Sequence, residues 1–204
     1  LEERKLEIYI DSKNAGRLWL GQGDMASNGS SEQDVSGTNV INHAEFDKLG
    51  RALQFRSTQA DANGHYAEVA KVGSVFNDMD GMSRRDRLRY DTPSFGGVKL
   101  SASVTEGDAW DVAATYKGKF AGSKVAAAVA YADGNDRFAW DNQVSGSLSF
   151  MHASGFNVTL AGGKRDSDDN NSGLTDVDGF FGDDDPTFYY AKLGYQLKSS
   201  IGST

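Results

Sequence analysis

Apolar and polar residues alternate with a period of two along most of this chain, above all in its second half. Successive side chains of a β-strand point to opposite faces, so this alternation is typical of strands with one apolar and one polar face. Residues 143–151 are an example, with Val144, Leu148 and Phe150 set between polar neighbours: Gln143, Ser145, Ser147 and Ser149. The pattern predicts about nine strands, each near the length that crosses a bilayer at a tilt.

The connections between these strands alternate between short and long. Short turns fall at residues 13–16, 92–97, 121–123 and 153–155, and the other connections fall at residues 25–83, 106–108, 133–140 and 166–186. Membrane β-barrels have short turns at one end and longer external loops at the other, whereas a soluble sandwich has no reason to sort its loops in this way. We therefore expect an all-β fold, an antiparallel transmembrane β-barrel.

The composition excludes several other classes of protein. The formal net charge is −8, whereas a nucleic-acid-binding protein is usually basic, so no nucleic-acid partner is expected. Cysteine is absent, and no apolar run approaches the roughly 18 residues that a spanning helix needs. The sequence motifs of serine hydrolases, P-loop proteins and zinc proteases are also absent, so we expect neither catalysis nor a cofactor.

The number of strands bears on how complete the barrel is. Single-chain bacterial barrels have an even number of strands. An open sheet of about nine strands would expose two edges, which a lipid environment does not tolerate. We therefore expect residues 1–204 to form a single portion of a larger barrel.

Three segments resemble the trimeric general diffusion porins of Gram-negative bacteria: residues 75–97 (VFNDMDGMSRRDRLRYDTPSFGG), 16–23 (GRLWLGQG) and 107–113 (GDAWDVA). The likeness covers most of the chain and matches the middle of a porin. It implies a sixteen-stranded barrel in the bacterial outer membrane, reached by export through the periplasm. It also implies a homotrimer in contact with outer-membrane lipid and lipopolysaccharide. The implied function is passive diffusion of small hydrophilic solutes and ions through a water-filled channel.

The resemblance implies that residues 25–83 are the third external loop, which folds into the lumen and narrows it. The length of this connection is far beyond normal, and such loops are usually functional. Asn42 followed by Glu45 is a capping pattern, which predicts a short helix from about His43. Four acidic residues are candidates for the negatively charged side of the constriction: Glu32, Asp34, Glu45 and Asp47.

A row of arginines follows this loop. The period of two puts Arg85, Arg87 and Arg89 on one face of a strand. A guanidinium that faced hydrocarbon would cost about 2–4 kcal/mol at the midplane of a barrel wall, so the row is expected to face water. The resemblance implies that this strand contributes a basic wall opposite the loop acids. Lys5 lies on the matching face of an earlier strand and is included as a candidate.

The acidic stretch 166–186, expected to be an external loop, leaves a second possibility open. Four of its residues match positions 1, 3, 5 and 9 of a calcium-binding loop: Asp168, Asn170, Ser172 and Asp176. Position 12, however, is Gly179 instead of glutamate, and strands flank the stretch where the motif requires helices. These metal candidates define the alternative function, a soluble β-rich calcium-dependent binding or adhesin module.

Overall fold

The computed structural model describes residues 5–38, 44, 50–60, 62–135, 138, 140–166 and 185–197. Most of these residues belong to β-strands, joined by one four-residue helix, α1 (Val72–Val75), and one 3-10 turn at Glu106–Asp108. The strands are β1 (Leu6–Ser12), β2 (Gly16–Asp24), β3 (Gln54–Ala60), β4 (Tyr66–Lys71), β5 (Arg84–Asp91), β6 (Val98–Thr105), β7 (Trp110–Phe120), β8 (Ser123–Asp133), β9 (Asn142–Met151), β10 (Phe156–Asp166) and β11 (Thr187–Tyr195).

Nine strands form one antiparallel sheet in the order β1-β2-β5-β6-β7-β8-β9-β10-β11, and β3 pairs with β4 in a separate hairpin. Each strand of the large sheet therefore lies beside its neighbour in the chain, apart from the interruption between β2 and β5. The short turns all lie at one end of the sheet, the short-turn end, and the remaining connections lie at the other, the long-connection end. The prediction of an all-β antiparallel fold with about nine strands in the sheet is confirmed.

Burial in the large sheet is the reverse of that in a water-soluble protein, where apolar side chains lie inside. In β9 the hydroxyls of Ser145, Ser147 and Ser149 are buried, whereas Val144 and Leu148 on the other face are nearly half exposed. The neighbouring strands repeat this arrangement and expose apolar side chains on the same face: Leu100, Val112, Val129, Leu160 and Leu193. We call this the apolar face, and the opposite one the polar face.

A small apolar cluster fixes both ends of the long connection 25–83. It lies at the long-connection end and consists of Met25, Met82, Ala109, Ala132 and Trp140. The Met25 N–H donates a 2.9 Å hydrogen bond to the Ser83 carbonyl, so the connection leaves and rejoins the sheet at one point. Gly81 is required there because its φ is +65° and an added Cβ would lie 2.0 Å from the Ser27 hydroxyl.

The hairpin of β3 and β4 inside the long connection was not predicted. Its signal in the sequence is the pair Asn63-Gly64, because asparagine and glycine favour the positive φ values of tight hairpin turns. The helix predicted from about His43 falls almost entirely outside the described residues. In the described part of the chain, no helix is both long enough and apolar enough to cross a membrane.

Candidate functional site: a loop seated on the polar face

The first part of the long connection, residues 25–38, which we call the seated segment, is anchored by a buried aspartate of β7. Asp111 is fully buried, and its carboxylate accepts hydrogen bonds from the N–H groups of Ala26, at 3.2 Å, and Ser27, at 2.8 Å. The Ser27 hydroxyl donates to the same carboxylate at 2.5 Å, and the Ser103 hydroxyl also donates to it. A buried carboxylate with this many donors holds the seated segment firmly on the polar face.

Three serines of β9 hold the next part of the seated segment. Ser145 shares a 2.8 Å hydrogen bond with the Ser30 hydroxyl, while Ser147 and Ser149 accept hydrogen bonds from segment N–H groups at 2.9 and 3.0 Å. Strand side chains repeat on one face every two residues, so the hydroxyls form a row. The seated segment follows this row from the long-connection end toward the short-turn end.

An ion pair fastens the far part of the seated segment to β11. Asp34 accepts a hydrogen bond from Lys192, which also donates to the hydroxyls of Ser36, at 3.0 Å, and Thr38, at 3.2 Å. Burial alone would raise the pKa of the Asp34 carboxyl, but the hydrogen bonds from Lys192 and Ser36 outweigh burial and hold this pKa below its usual value. Asp34 is therefore an ionised and almost fully covered partner of Lys192.

The returning part of the connection contributes a half-buried carboxyl, that of Asp80. It accepts hydrogen bonds from the Gly29 N–H at 2.6 Å and from the Ser31 hydroxyl at 3.3 Å, which joins the end of the loop to its beginning. Burial, followed by repulsion from Glu32 and Asp78, raises the pKa of Asp80 to about 8. Asp80 is therefore mainly neutral at pH 7 and gains its negative charge as the pH rises through about 8.

Charged groups of both signs line a pocket of about 450 Å³ between the loop and the long-connection end of the sheet, which we call the polar pocket. The side chains that contribute these groups are Glu32, Asp78, Asp80, Arg51, Arg84 and Arg165. Opposite charges that face one another across a narrow space create a transverse field, which orients dipolar solutes and discriminates ions by charge. The polar pocket is therefore the candidate functional site.

The position of Arg165 in the polar pocket is fixed by its neighbours. Its guanidinium donates to the Gln143 side-chain oxygen at 2.6 and 3.0 Å and lies 5.1 Å from the centre of the Trp140 ring. Gln143 in turn donates to the Met79 carbonyl at 2.6 Å, so the same network also holds the returning part of the loop. A cation that is held rigidly at this point can interact with a ligand without first being ordered.

Arg87 lies on the predicted face of β5 but is enclosed by partners. Its guanidinium donates to the Glu7 carboxylate at 2.5 Å and to the carbonyls of Gly21 and Asp24 at 2.9 Å. The side chain is only 2% exposed. Lys5, the other candidate near this edge of the sheet, forms an ion pair with Asp24.

Arg85 and Arg89 also lie on the predicted face, and each has a partner there. Arg89 forms a 2.8 Å ion pair with Asp91. Arg85 is exposed, and its guanidinium lies 4.7 Å from the centre of the Phe138 ring. The structure thus brings the three arginines to one face of the large sheet. The acidic partners of Arg87 and Arg89, Glu7 and Asp91, belong to strands of the same sheet.

The structure describes only some of the candidate acids and none of the candidate metal ligands. Glu32 lines the polar pocket and Asp34 pairs with Lys192. Glu45 and Asp47 lie outside the described residues, and so do the four calcium candidates: Asp168, Asn170, Ser172 and Asp176. Among the residues that the structure describes, no group of three or more histidine or acidic side chains is arranged to hold a metal ion.

Several residues of the site were missed by sequence reasoning. Arg165 and Asp111 occupy polar positions in alternating strands, so their face could be read from the sequence although their partners could not. Asp78 and Asp80 lie within residues 75–97, the segment that carries the main resemblance to porins. Acidic residues in that segment were therefore the available signal for the negative side of the pocket.

Comparisons with known proteins agree with this geometry. A family model described as Gram-negative porin matches residues 2–201. The match spans nearly the whole chain, and the chain therefore belongs to the Gram-negative porin family. Searches among curated proteins and among solved structures gave no match.

Proposed function

We propose that this chain forms part of the wall and the constriction loop of a water-filled channel, through which small hydrophilic solutes and ions diffuse passively. The observation that carries the proposal is the seated segment, which lies on the polar face of a sheet whose opposite face is apolar and exposed. Such a sheet is suited to lipid on one side and water on the other. The seated segment then lies in the water-filled space and narrows it.

The family assignment supports the wider setting of this proposal. Gram-negative porins act in the outer membrane as channels rather than as enzymes, so we place this protein there, as a homotrimer in contact with lipid and lipopolysaccharide. Residues 1–204 then form one portion of a sixteen-stranded barrel, with residues 25–83 as the constriction loop and residues 166–186 as an external loop. The adhesin alternative has no support from the family match.

Within this channel we assign the transverse field mainly to the polar pocket. Glu32, Asp78 and, at high pH, Asp80 supply the negative side, and Arg84 and Arg165 supply the wall cations. The arginine row of β5 extends the positive side along the wall, with Arg85 more exposed than Arg87. The assignment places both signs of charge across a space that is wide enough for a small solute.

The test is the conductance of the intact protein in planar lipid bilayers. The protein is expected to form discrete channels, and Asp111→Ala is expected to raise their conductance by tens of per cent because the N–H and the hydroxyl of Ser27 in the seated segment lose their acceptor. Asp86→Ala removes an exposed carboxylate of β5 and is the matched control, for which no change is expected. A wild-type protein that inserts into bilayers without conducting ions would overturn the proposed function.

A further inference from the structure

The short-turn end of the polar face carries a concentration of positive charge, although the chain as a whole is acidic. Lys117 and Lys119 lie on β7 and Lys124 lies on β8, and all three side chains are exposed. Each lysine is an even number of residues away from a buried residue of its own strand, Asp111 in β7 or Ala126 in β8. The three ammonium groups therefore lie on the same face as the seated segment. We call these residues the lysine group.

The turn between β7 and β8 fixes the geometry of the lysine group. Ala121 and Gly122 both have positive φ values, of 47° and 77°, as a two-residue hairpin turn requires. The turn sets a register in which Lys119 lies directly opposite Lys124. Like charges directly opposite each other in a sheet are destabilising, so stability of the fold does not account for this pair.

The lysines are also not neutralised by other residues of the described chain. Among the described residues, none of the ion pairs or side-chain hydrogen bonds involves the ammonium group of Lys117, Lys119 or Lys124. Asp34 lines the same pocket, but its side chain is 1% exposed and is already paired with Lys192. The positive charge of the lysine group is therefore available to a ligand.

A pocket of about 320 Å³ lies beside these ammonium groups. The seated segment forms one side of it with residues 33–35, and the hairpin of β7 and β8 forms the other, with buried Ala126 as part of the floor. A phosphate-sized group fits this volume. The pocket lies near the short-turn end, whereas the polar pocket lies at the long-connection end.

We propose that the lysine group is an anion-binding site at the short-turn mouth of the channel, for small solutes that carry several acidic oxygens, of the inorganic phosphate type. The inference rests on the proposed channel function and adds a ligand class and a second site to it. A bound oxyanion relieves the repulsion between Lys119 and Lys124 and receives charge-assisted hydrogen bonds from ammonium donors. The site raises the local concentration of such anions before they reach the narrow part of the lumen.

The test uses inorganic phosphate as the probe and measures two quantities on the intact protein. Calorimetric titration in detergent reports binding whether or not the protein conducts, and planar bilayers report inhibition of chloride current by phosphate added to either side. The variant with Lys117→Gln, Lys119→Gln and Lys124→Gln is expected to bind phosphate about tenfold more weakly, because each lost charge costs roughly two- to threefold. Inhibition is expected to be stronger from the short-turn side and to weaken as salt is raised.

Lys13→Gln is the matched control because Lys13 lies in another short turn, between β1 and β2, and is exposed outside the pocket. This variant is expected to bind phosphate as the wild type does. Absence of phosphate binding to the wild-type protein, or equal losses in Lys13→Gln and in the triple variant, would overturn the anion site. If phosphate binds as expected but the protein forms no channels, the channel proposal fails and the anion site stands.

Discussion

The two faces of β9 differ in the way they are covered, and the difference shows which face is satisfied by the chain itself. On the polar face the seated segment covers Ser145, Ser147 and Ser149 and satisfies their hydroxyls. On the apolar face Val144 and Leu148 are covered by no part of the described chain and remain nearly half exposed. Polar groups that are sealed by hydrogen bonds and apolar groups that are left open are the opposite of a water-soluble core. The described chain thus satisfies the polar groups of one face itself and leaves the apolar side chains of the other face uncovered.

The largest expected effect comes from placing a charge on the apolar face. Leu148→Arg is expected to destabilise the protein in lipid vesicles by about 2–4 kcal/mol, because a guanidinium near the bilayer midplane loses its hydration. Phe120→Arg is the matched control, since Phe120 is exposed on the same face but next to a short turn, where the expected cost is about 0–1 kcal/mol. Unfolding in urea measures both. Equal costs for the two variants would mean that the apolar face does not contact hydrocarbon.

The assignment of side chains to the two faces could be predicted largely from the sequence. Alternation over strands of up to 11 residues defines which side chains share a face, and the order of short and long connections defines the antiparallel order of strands. Both signals are local, so one sequence contains them. The hairpin of β3 and β4 was also signalled locally, by Asn63-Gly64, and was missed because the long connection was treated as a loop.

The partners within the site could not be predicted in the same way. The sequence places Arg87 on the correct face, but it does not show that Glu7, 80 residues earlier, encloses the guanidinium. Asp34 meets Lys192 across 158 residues, and Asp111 meets Ser27 across 84. These pairings depend on how the long connection crosses the sheet, which no local pattern encodes. The face of the sheet on which each charged side chain lies was thus predictable, and the partner of each charged side chain was not.

A change of pH is expected to alter the charge of the polar face and to leave the apolar face unaffected. The ordinary pKa of 3.8 is raised to about 8 at Asp80, so the stabilising contribution of its proton to the fold is complete below about pH 3.8 and is lost progressively as the pH rises from there to about 8. Between pH 7 and pH 9 the polar pocket also gains one negative charge. We expect the ratio of cation to anion permeability to rise about threefold over this range.

Asp80→Asn is expected to abolish this pH dependence, because the amide oxygen can still accept the hydrogen bond from Gly29 but carries no titrating proton. Asp86→Asn, on an exposed side chain of β5, is the control and is expected to behave as the wild type. Reversal potentials in planar bilayers measure the ratio at each pH. A pH response that persists in Asp80→Asn would assign the titration to another group.

The smallest expected effect distinguishes two arginines of the same strand. The side chain of Arg84 is 34% exposed, lines the polar pocket and pairs with the half-buried Asp24 at 3.1 Å, whereas that of Arg87 is 2% exposed and paired with Glu7. Arg84→Gln is therefore expected to shift permeability toward cations by less than about twofold at low salt, since one partly screened charge is lost. Arg87→Gln is expected to leave the selectivity unchanged and to lower stability by about 1–3 kcal/mol, because the Glu7 carboxylate loses its partner. Reversal potentials and urea unfolding separate the two outcomes. A larger shift in selectivity for Arg87→Gln would mean that the arginine row, rather than the polar pocket, forms the positive side of the constriction.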